Sequence, residues 1–333
     1  KTIFEGSSVT YEGKIVKNGV ETWYQTHLTP VFDDNGIVRN FVAVDTDITR
    51  LKYIERELNE QKYELEMQRN NALMQKEYAE HQQKEITDSI RYAKRIQSAI
   101  LPSHKQMAKF WPESFVLLLP KDIVSGDFFW YHRDHNKHYI VSVDCTGHGV
   151  PGAFMSIIGT YLLNTIVIQN KVQKASEILK QLNRKIKISL NSEDTRMLSN
   201  DGMDIAVAII DKENHTLEFS GAMRPMYFFT QGELVELRGD KTPITSDITS
   251  TGLSVFTDQV LTLVPGDVFY VFSDGIIDQF GGKSNKKFLT KRFKQLLFDI
   301  HMLEMREQKE IIMRAIEDWK GDAEQVDDIM VIG

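Results

Sequence analysis

Four aspartates stand where an apolar, strand-like run begins or ends. Asp144 ends "YIVSVD" and is followed by Cys145 and then by Gly147, Gly149 and Gly152. Asp127 opens "DFFW" directly after Gly126, and Asp274 ends "VFYVFSD" directly before Gly275, with Asp278 a little further on. Asp327, with Asp328 beside it, opens "IMVIG". One acid at a strand end is ordinarily a turn former or a helix cap. The same placement on four strands points to a shared carboxylate cluster. Carboxylates held together raise one another's pKa unless a cation neutralises them. A hard divalent ion, Mn2+ or Mg2+, prefers such oxygen ligands. No His/Cys spacing suits zinc.

Other chemistries fail on spacing. A cysteine phosphatase needs Cys, five residues, then Arg, and from Cys145 that place is Pro151. The G-x-S-x-G elbow of a serine hydrolase is absent. "GGKS" at 281–284 imitates the end of a phosphate loop, but the first glycine of that loop falls at Ile277. Lys283, Lys286 and Lys287 therefore read as a solvated basic turn.

The elements that must position the acids lie in residues 102–333. Strand-like runs are "SFVLLLP", "GDFFWYH", "HYIVSVD", "MDIAVAIID", "TLEFSGA", "PMYFFT", "ELVEL", "QVLTLV", "DVFYVFSD" and "DDIMVIG". Helix-like runs cover about 152–169, 174–190, 289–299 and 304–319. Strands in succession with hairpin-length gaps imply antiparallel sheets, and the helices imply layers covering them.

Residues 1–50 form a separate part. "VTYEGKIV", "VETWYQTHLTPVF" and "RNFVAVDTDIT" read as a three-stranded meander turned by "KNG" and "DDNG". Residues 51–101 contain neither Gly nor Pro. Leu51, Leu58, Leu65, Ala72, Ala79, Ile86, Ala93 and Ile100 keep one heptad register. Three places after each of the first seven come Ile54, Gln61, Gln68, Gln75, Gln82, Ser89 and Ile96. This is a coiled-coil signal whose polar seam weakens the coil and fixes its register. It predicts a parallel homodimer.

The 333 residues carry a net charge of -7 with no basic stripe, which argues against nucleic acid as a partner. Runs such as "FVLLLP" are too short to span a bilayer, so no membrane segment is expected. The single cysteine excludes an internal disulfide and suits a reducing, cytoplasmic setting. The chain opens and stops inside element patterns and so reads as a fragment of a longer protein, which regions outside it could anchor to a membrane.

"VSGDFFW", "VDCTGHGVPGAFMS", "DGMDIAVAIID", "FSDGIIDQFGG" and "QVDDIMVIG" occur in this order. Together they resemble the SpoIIE/RsbU branch of the PPM (PP2C-like) serine/threonine phosphatases over roughly 101–333. The resemblance implies an α+β fold, an αββα four-layer sandwich with the site at one edge. It implies hydrolysis of phosphoserine or phosphothreonine in a protein, often a STAS-type anti-sigma-factor antagonist. It also implies two Mn2+ or Mg2+ ions, with Asp144 bridging both, the carbonyl of Cys145 on one, and Asp274 and Asp327 on the other. Asp127 would support the site directly or through water, and Asp278 is a candidate for a third ion. Two cations about 3.5–4 Å apart would activate a water for in-line attack. Residues 1–50 resemble the C-terminal half of a PAS domain.

The departures from the family pattern are local. Thr146 stands where PP2C enzymes carry an acid histidine, and His148, two places on, suits a structural role in the turn. Lys121 is the candidate in place of a phosphate-binding arginine. "SGAMRP" puts Met223 and Arg224 where substrate contacts are expected to differ. Two other readings remain at this stage. One is a catalytically silent scaffold that assembles partners through the coil. The other is a metal nuclease, which the lack of a basic channel disfavours.

Overall fold

The computed structural model describes residues 6–190, 201–246 and 255–333. The chain divides into two compact units, residues 1–85 and 86–333.

The first unit holds an antiparallel meander of β1 (Val9–Lys17), β2 (Val20–Phe32) and β3 (Val38–Asp47), in that order. Its turns follow from their residues. Asn18 and Gly19 take φ of 53° and 81°, the paired left-handed geometry that a two-residue hairpin needs. In the second turn, Asp33 Oδ1 accepts the backbone N–H groups of Asn35 and Ile37, each at 3.0 Å. Helix α1 (Thr49–Ile100) then runs for 52 residues without a break. Its seam residues Leu51, Leu58, Leu65 and Ile86 are exposed.

The second unit begins within α1. The chain continues through α2 (His104–Ala108), β4 (Val116–Leu119), β5 (Phe128–Asp134) and β6 (Lys137–Cys145). Helix α3 (Gly149–Leu163) passes into a π-helical turn, Asn164–Gln169, and α4 (Ala175–Leu190) follows. Next come β7 (Gly202–Asp211), β8 (Thr216–Ala222), β9 (Met226–Thr230), β10 (Glu233–Leu237), β11 (Ile244–Thr245) and β12 (Gln259–Thr262). The last part holds β13 (Val268–Phe272), α5 (Gly275–Asp278), β14 (Phe280–Gly281) and β15 (Lys286–Lys287). Helices α6 (Thr290–Ile300) and α7 (Met305–Lys320) precede β16 (Ile329–Ile332).

These strands make a five-stranded sheet, β10-β9-β13-β16-β4, and a six-stranded sheet, β12-β8-β7-β6-β5, with β11 added on β7. Alternation along each strand sets the layers. Ala206, Ala208 and Ile210 of β7 meet Phe228, Val271, Met330 and Ile332 of the other sheet. The residues between them, Ile205, Val207 and Ile209, pack instead with Met155, Leu162, Ile178 and Leu182 of α3 and α4. Across the molecule, Tyr227, Phe229, Ile329 and Val331 face Phe293, Leu297, Ile312 and Ile316 of α6 and α7. Both faces of each sheet are covered, and the result is the expected four-layer αββα sandwich. That is why the strands read as unbroken apolar runs rather than half-polar ones.

One helix bears on the expectation of no membrane segment. Among the described residues, Gly149–Gln169 is a helical run long and apolar enough to cross a membrane. More than half of its most apolar stretch is buried, and Leu162, Leu163, Ile166 and Val167 belong to the packed core. Its apolarity is that of a helix lying on a sheet.

His138 on β6 is 2% exposed and accepts a hydrogen bond at Nδ1 from Trp111 Nε1, 2.9 Å away, with the Tyr131 hydroxyl also at 2.9 Å. Burial, with Lys212 and Arg133 nearby, pushes its pKa down to about 4. In the unfolded chain it titrates near 6.5. The folded state therefore binds fewer protons than the unfolded state below that pH. The stability tied to His138 is complete above pH 6.5 and is lost as pH falls toward 4, on the order of 3 kcal/mol. Aspartates whose pKa is raised by burial pull the other way, so the readout is a difference. Urea unfolding of the parent and of His138→Gln between pH 7 and 4.5 should show a steeper acid loss in the parent. Parallel pH profiles would show that the imidazole has no such role.

Candidate active site

The inter-sheet layer ends in acids. Asp144 is the penultimate residue of β6 and pairs in register with Asp204 on β7. Val143 and Cys145, on either side of Asp144, pack toward the helices, which turns the Asp144 position toward the other sheet. Two carboxylates opposite each other on neighbouring strands repel. Asp274 joins them from the five-stranded sheet, two residues after β13 ends, and its backbone N–H lies 3.5 Å from Asp144 Oδ2.

The charge at the centre of this group is Arg224. Its Nη2 lies 2.6 Å from Asp144 Oδ2, 2.7 Å from Asp274 Oδ2 and 3.3 Å from Asp204 Oδ2. Burial pushes Asp144 up to about 7, against the pull of Arg224, while Asp274, Asp204 and Asp327 add to the rise. Asp204 is raised by burial too, again opposed by Arg224.

Asp127 sits just before β5, 2% exposed, with an Oδ2 that has no hydrogen-bond partner. Burial and then the neighbouring Asp144 hold its pKa well above the carboxylate range, with Ser273 nearby offsetting part of this. Asp327 precedes β16. Burial raises it, the backbone N–H of Asp328 at 2.8 Å opposes that, and Asp274 and Asp328 add repulsion.

Asp328 does something different. It is 3% exposed and accepts the N–H groups of Lys121 and Gly126, each at 2.7 Å. It clips the entry to β16 onto the loop that carries Asp127. That loop lies tight against the Gly147 turn. A Cβ on Gly126 would come within 2.7 Å of the Gly147 carbonyl oxygen, and one on Gly152 within 2.3 Å. Glycine there is a matter of close backbone approach.

The remaining sequence candidates fall elsewhere. The Cys145 thiol is buried in the helix-side core, and burial holds it well above its usual range, so it is no nucleophile. The Asp278 carboxylate pairs with Lys287 Nζ at 3.0 Å instead of turning to the other acids. Lys287 is thereby more than a solvated turn residue. His148 Nδ1 lies 2.6 Å from Asp122 Oδ2, and Lys121 Nζ lies 3.0 Å from His148 Nε2. Lys121 is thus engaged within the Gly147 turn.

Of two residues at the centre, one escaped the sequence reading, and the other was expected near substrate and not among the acids. Asp204 heads the inward face of β7, and the alternation Asp204, Ala206, Ala208 was the signal for it. Arg224 stands in the β8–β9 connection, where nothing in the pattern marks its direction.

Among the described residues, no three His, Cys, Asp or Glu side chains already converge on one metal position. The donor set still fits a hard cation. It is made of carboxylate oxygens, it includes an orphaned buried oxygen on Asp127, and it already holds one cationic group among three acids.

Comparison with known proteins bears on the family and the fold. The family described as Stage II sporulation protein E (SpoIIE) matches residues 134–333. No curated protein matches the chain. Among solved structures, the SiaA PP2C domain of Pseudomonas aeruginosa is 31% identical with a TM-score of 0.67, over 75% of this chain and 96% of that one. The PP2C phosphatase domain of SpoIIE from Bacillus subtilis, solved with a fragment of its regulatory domain, is 16% identical with a TM-score of 0.53, over 66% and 61%. The RsbU and RsbW domains of a Mycobacterium tuberculosis protein are 17% identical with a TM-score of 0.51, over 66% and 58%. The last two likenesses show the fold. The chain belongs to the SpoIIE family of PP2C-type serine/threonine phosphatases.

Proposed function

We propose that this phosphatase removes phosphate from phosphoserine or phosphothreonine in a bacterial regulatory protein, and that it works with Mn2+ or Mg2+. The observation that carries the reading is the convergence of Asp144, Asp204 and Asp274, drawn from two different sheets, on a single cationic group. A silent scaffold has no use for buried acids held together at such electrostatic cost.

Asp144, Asp274 and Asp327 would hold the ions, with the Cys145 carbonyl, Asp127 and Asp204 completing the set. Asp278, paired with Lys287, would take part only after leaving that partner. When bound, the divalent ions supply an ionisable water and positive charge for the phosphoryl oxygens. This chain's own part is to hold the oxygens rigidly. The β6–β7 pairing fixes Asp144 and Asp204, and the Asp328 clip fixes the Asp127 loop. A STAS-type anti-sigma-factor antagonist, or a regulator like it, is the substrate class that the family resemblance favours.

Regulation is proposed to run through α1. Its last turns lie in the catalytic unit, where buried Gln97 donates to the Ser125 carbonyl at 2.6 Å and to Ser156 Oγ at 2.9 Å. Ser125 leads into Asp127, and Ser156 lies on α3, the helix after Asp144. A shift of α1 along or about its axis would therefore load both segments beside the acids. The PAS-like meander would lie at the far end of a parallel, dimeric coil. The polar seam keeps that coil marginal, which suits a switch between two packings.

Three outcomes are expected. Asp144→Asn should cut Mn2+-dependent hydrolysis of p-nitrophenyl phosphate by about 100-fold or more with an unchanged circular dichroism spectrum, and Asp278→Asn should act more mildly. Substantial turnover in Asp144→Asn would end the assignment. Cys145→Ala should keep most activity and lose about 1 kcal/mol of stability from its trimmed core. An inactive but equally stable Cys145→Ala protein would revive thiol chemistry. Replacing Gln61, Gln68, Gln75 and Gln82 together with leucine should tighten the dimer in sedimentation and move turnover strongly. A tighter dimer with identical turnover would make the coil a mere tether.

A further inference from the structure

Arg224 is held in a way that ordinary structural ion pairs are not. A guanidinium normally meets carboxylates as a fork, two parallel N–H groups to two oxygens. Here one nitrogen, Nη2, serves Asp144, Asp204 and Asp274 together, while Nε is buried without a partner. Three carboxylate oxygens face one nitrogen, and a hard cation taking its place would draw the same oxygens in closer. The guanidinium sets a single charge against three.

The backbone on either side explains why the side chain alone can respond. Met223 takes a left-handed φ of 65°, and its N–H donates to the Asp240 carbonyl at 2.8 Å. The Arg224 carbonyl lies between Gly221 and Gly239, where an added Cβ would come within 2.3 and 2.5 Å of it. The β8–β9 connection is thus clamped at both edges. The guanidinium is the movable part of a fixed loop.

We propose that Arg224 is the resident counter-ion of the metal-free site, and that divalent cations bind by displacing it. The inference rests on the reading of these acids as the metal ligands. Binding is then an exchange: Nη2 leaves Asp144, Asp204 and Asp274, and the ion takes their oxygens. Two consequences follow. Metal-free protein keeps its acids partly neutralised and stays folded. Metal affinity is held below what the carboxylates alone would give, which sets a threshold of free Mn2+ or Mg2+ for loading.

The test uses the full chain, stripped with chelator, as parent, Arg224→Met and Arg224→Lys. By calorimetry, Arg224→Met should bind Mn2+ at least about tenfold more tightly than the parent. Its metal-free melting temperature should fall, and Mn2+ should raise it by more than it raises the parent's. In arginine-labelled parent, the side-chain Nε–H resonance that vanishes in Arg224→Lys should shift as Mg2+ is added. Equal or weaker Mn2+ binding by Arg224→Met would overturn the exchange, as would an Arg224 resonance unmoved at saturating Mg2+. The Mg2+ titration decides the matter even if Arg224→Met does not fold. If neither the parent nor Arg224→Met binds Mn2+, the metal reading fails and takes this proposal with it.

Discussion

Like charge gathered in a dry place is the constraint on which this molecule turns. Five aspartates, Asp127, Asp144, Asp204, Asp274 and Asp327, stand within electrostatic reach of one another at one end of the layer between two sheets. Low dielectric makes each ionised carboxylate expensive and each pair repulsive. A proton or a cation must therefore offset that charge in every stable state. Much of the surrounding architecture exists to bring these oxygens together and keep them from relaxing apart.

The devices that do so are backbone devices. Register between β6 and β7 sets Asp144 against Asp204, and a slip of one residue would send both to the helix side. The Asp328 carboxylate ties the last strand to the Asp127 loop through two main-chain donors. Bare glycines let that loop rest on the Gly147 turn. These contacts are short-ranged and rigid. A site built this way is preorganised, so little conformational entropy is lost when its ligands engage.

Much of this was legible in the residues, for identifiable reasons. The strands announced themselves because both faces of each sheet are covered, and the acids were conspicuous as polar breaks in those runs. Helix α1 was visible because Gly and Pro disappear for its whole length. Other features carried no such signal. Asp204 lies inside its strand rather than at the end, so a search for terminal acids passes it by. Arg224 follows Met223, whose left-handed conformation no local preference foretells. Asp327 and Asp328 are identical letters whose opposite tasks depend on strand alternation and on partners some 200 residues away, beyond any local pattern. Asp278 was drawn to Lys287 by the small β14–β15 hairpin, too short to leave a periodicity.

The place of β16 has a consequence for how the chain is made. Among the described elements it is the last in sequence, yet it lies inside its sheet, between β13 and β4. Its partner β4 pairs Val116 with Ile332, so that strand leaves the ribosome long before its neighbour exists. Until then β13 and β4 both present open edges, the kind of surface that chaperones cover and that wrong partners seize. The same late segment delivers Asp327 and Asp328. A nascent or prematurely terminated chain therefore has neither a closed sheet nor a complete set of acids. The strand that closes this sheet is thus also the one that brings the last two of these acids into place.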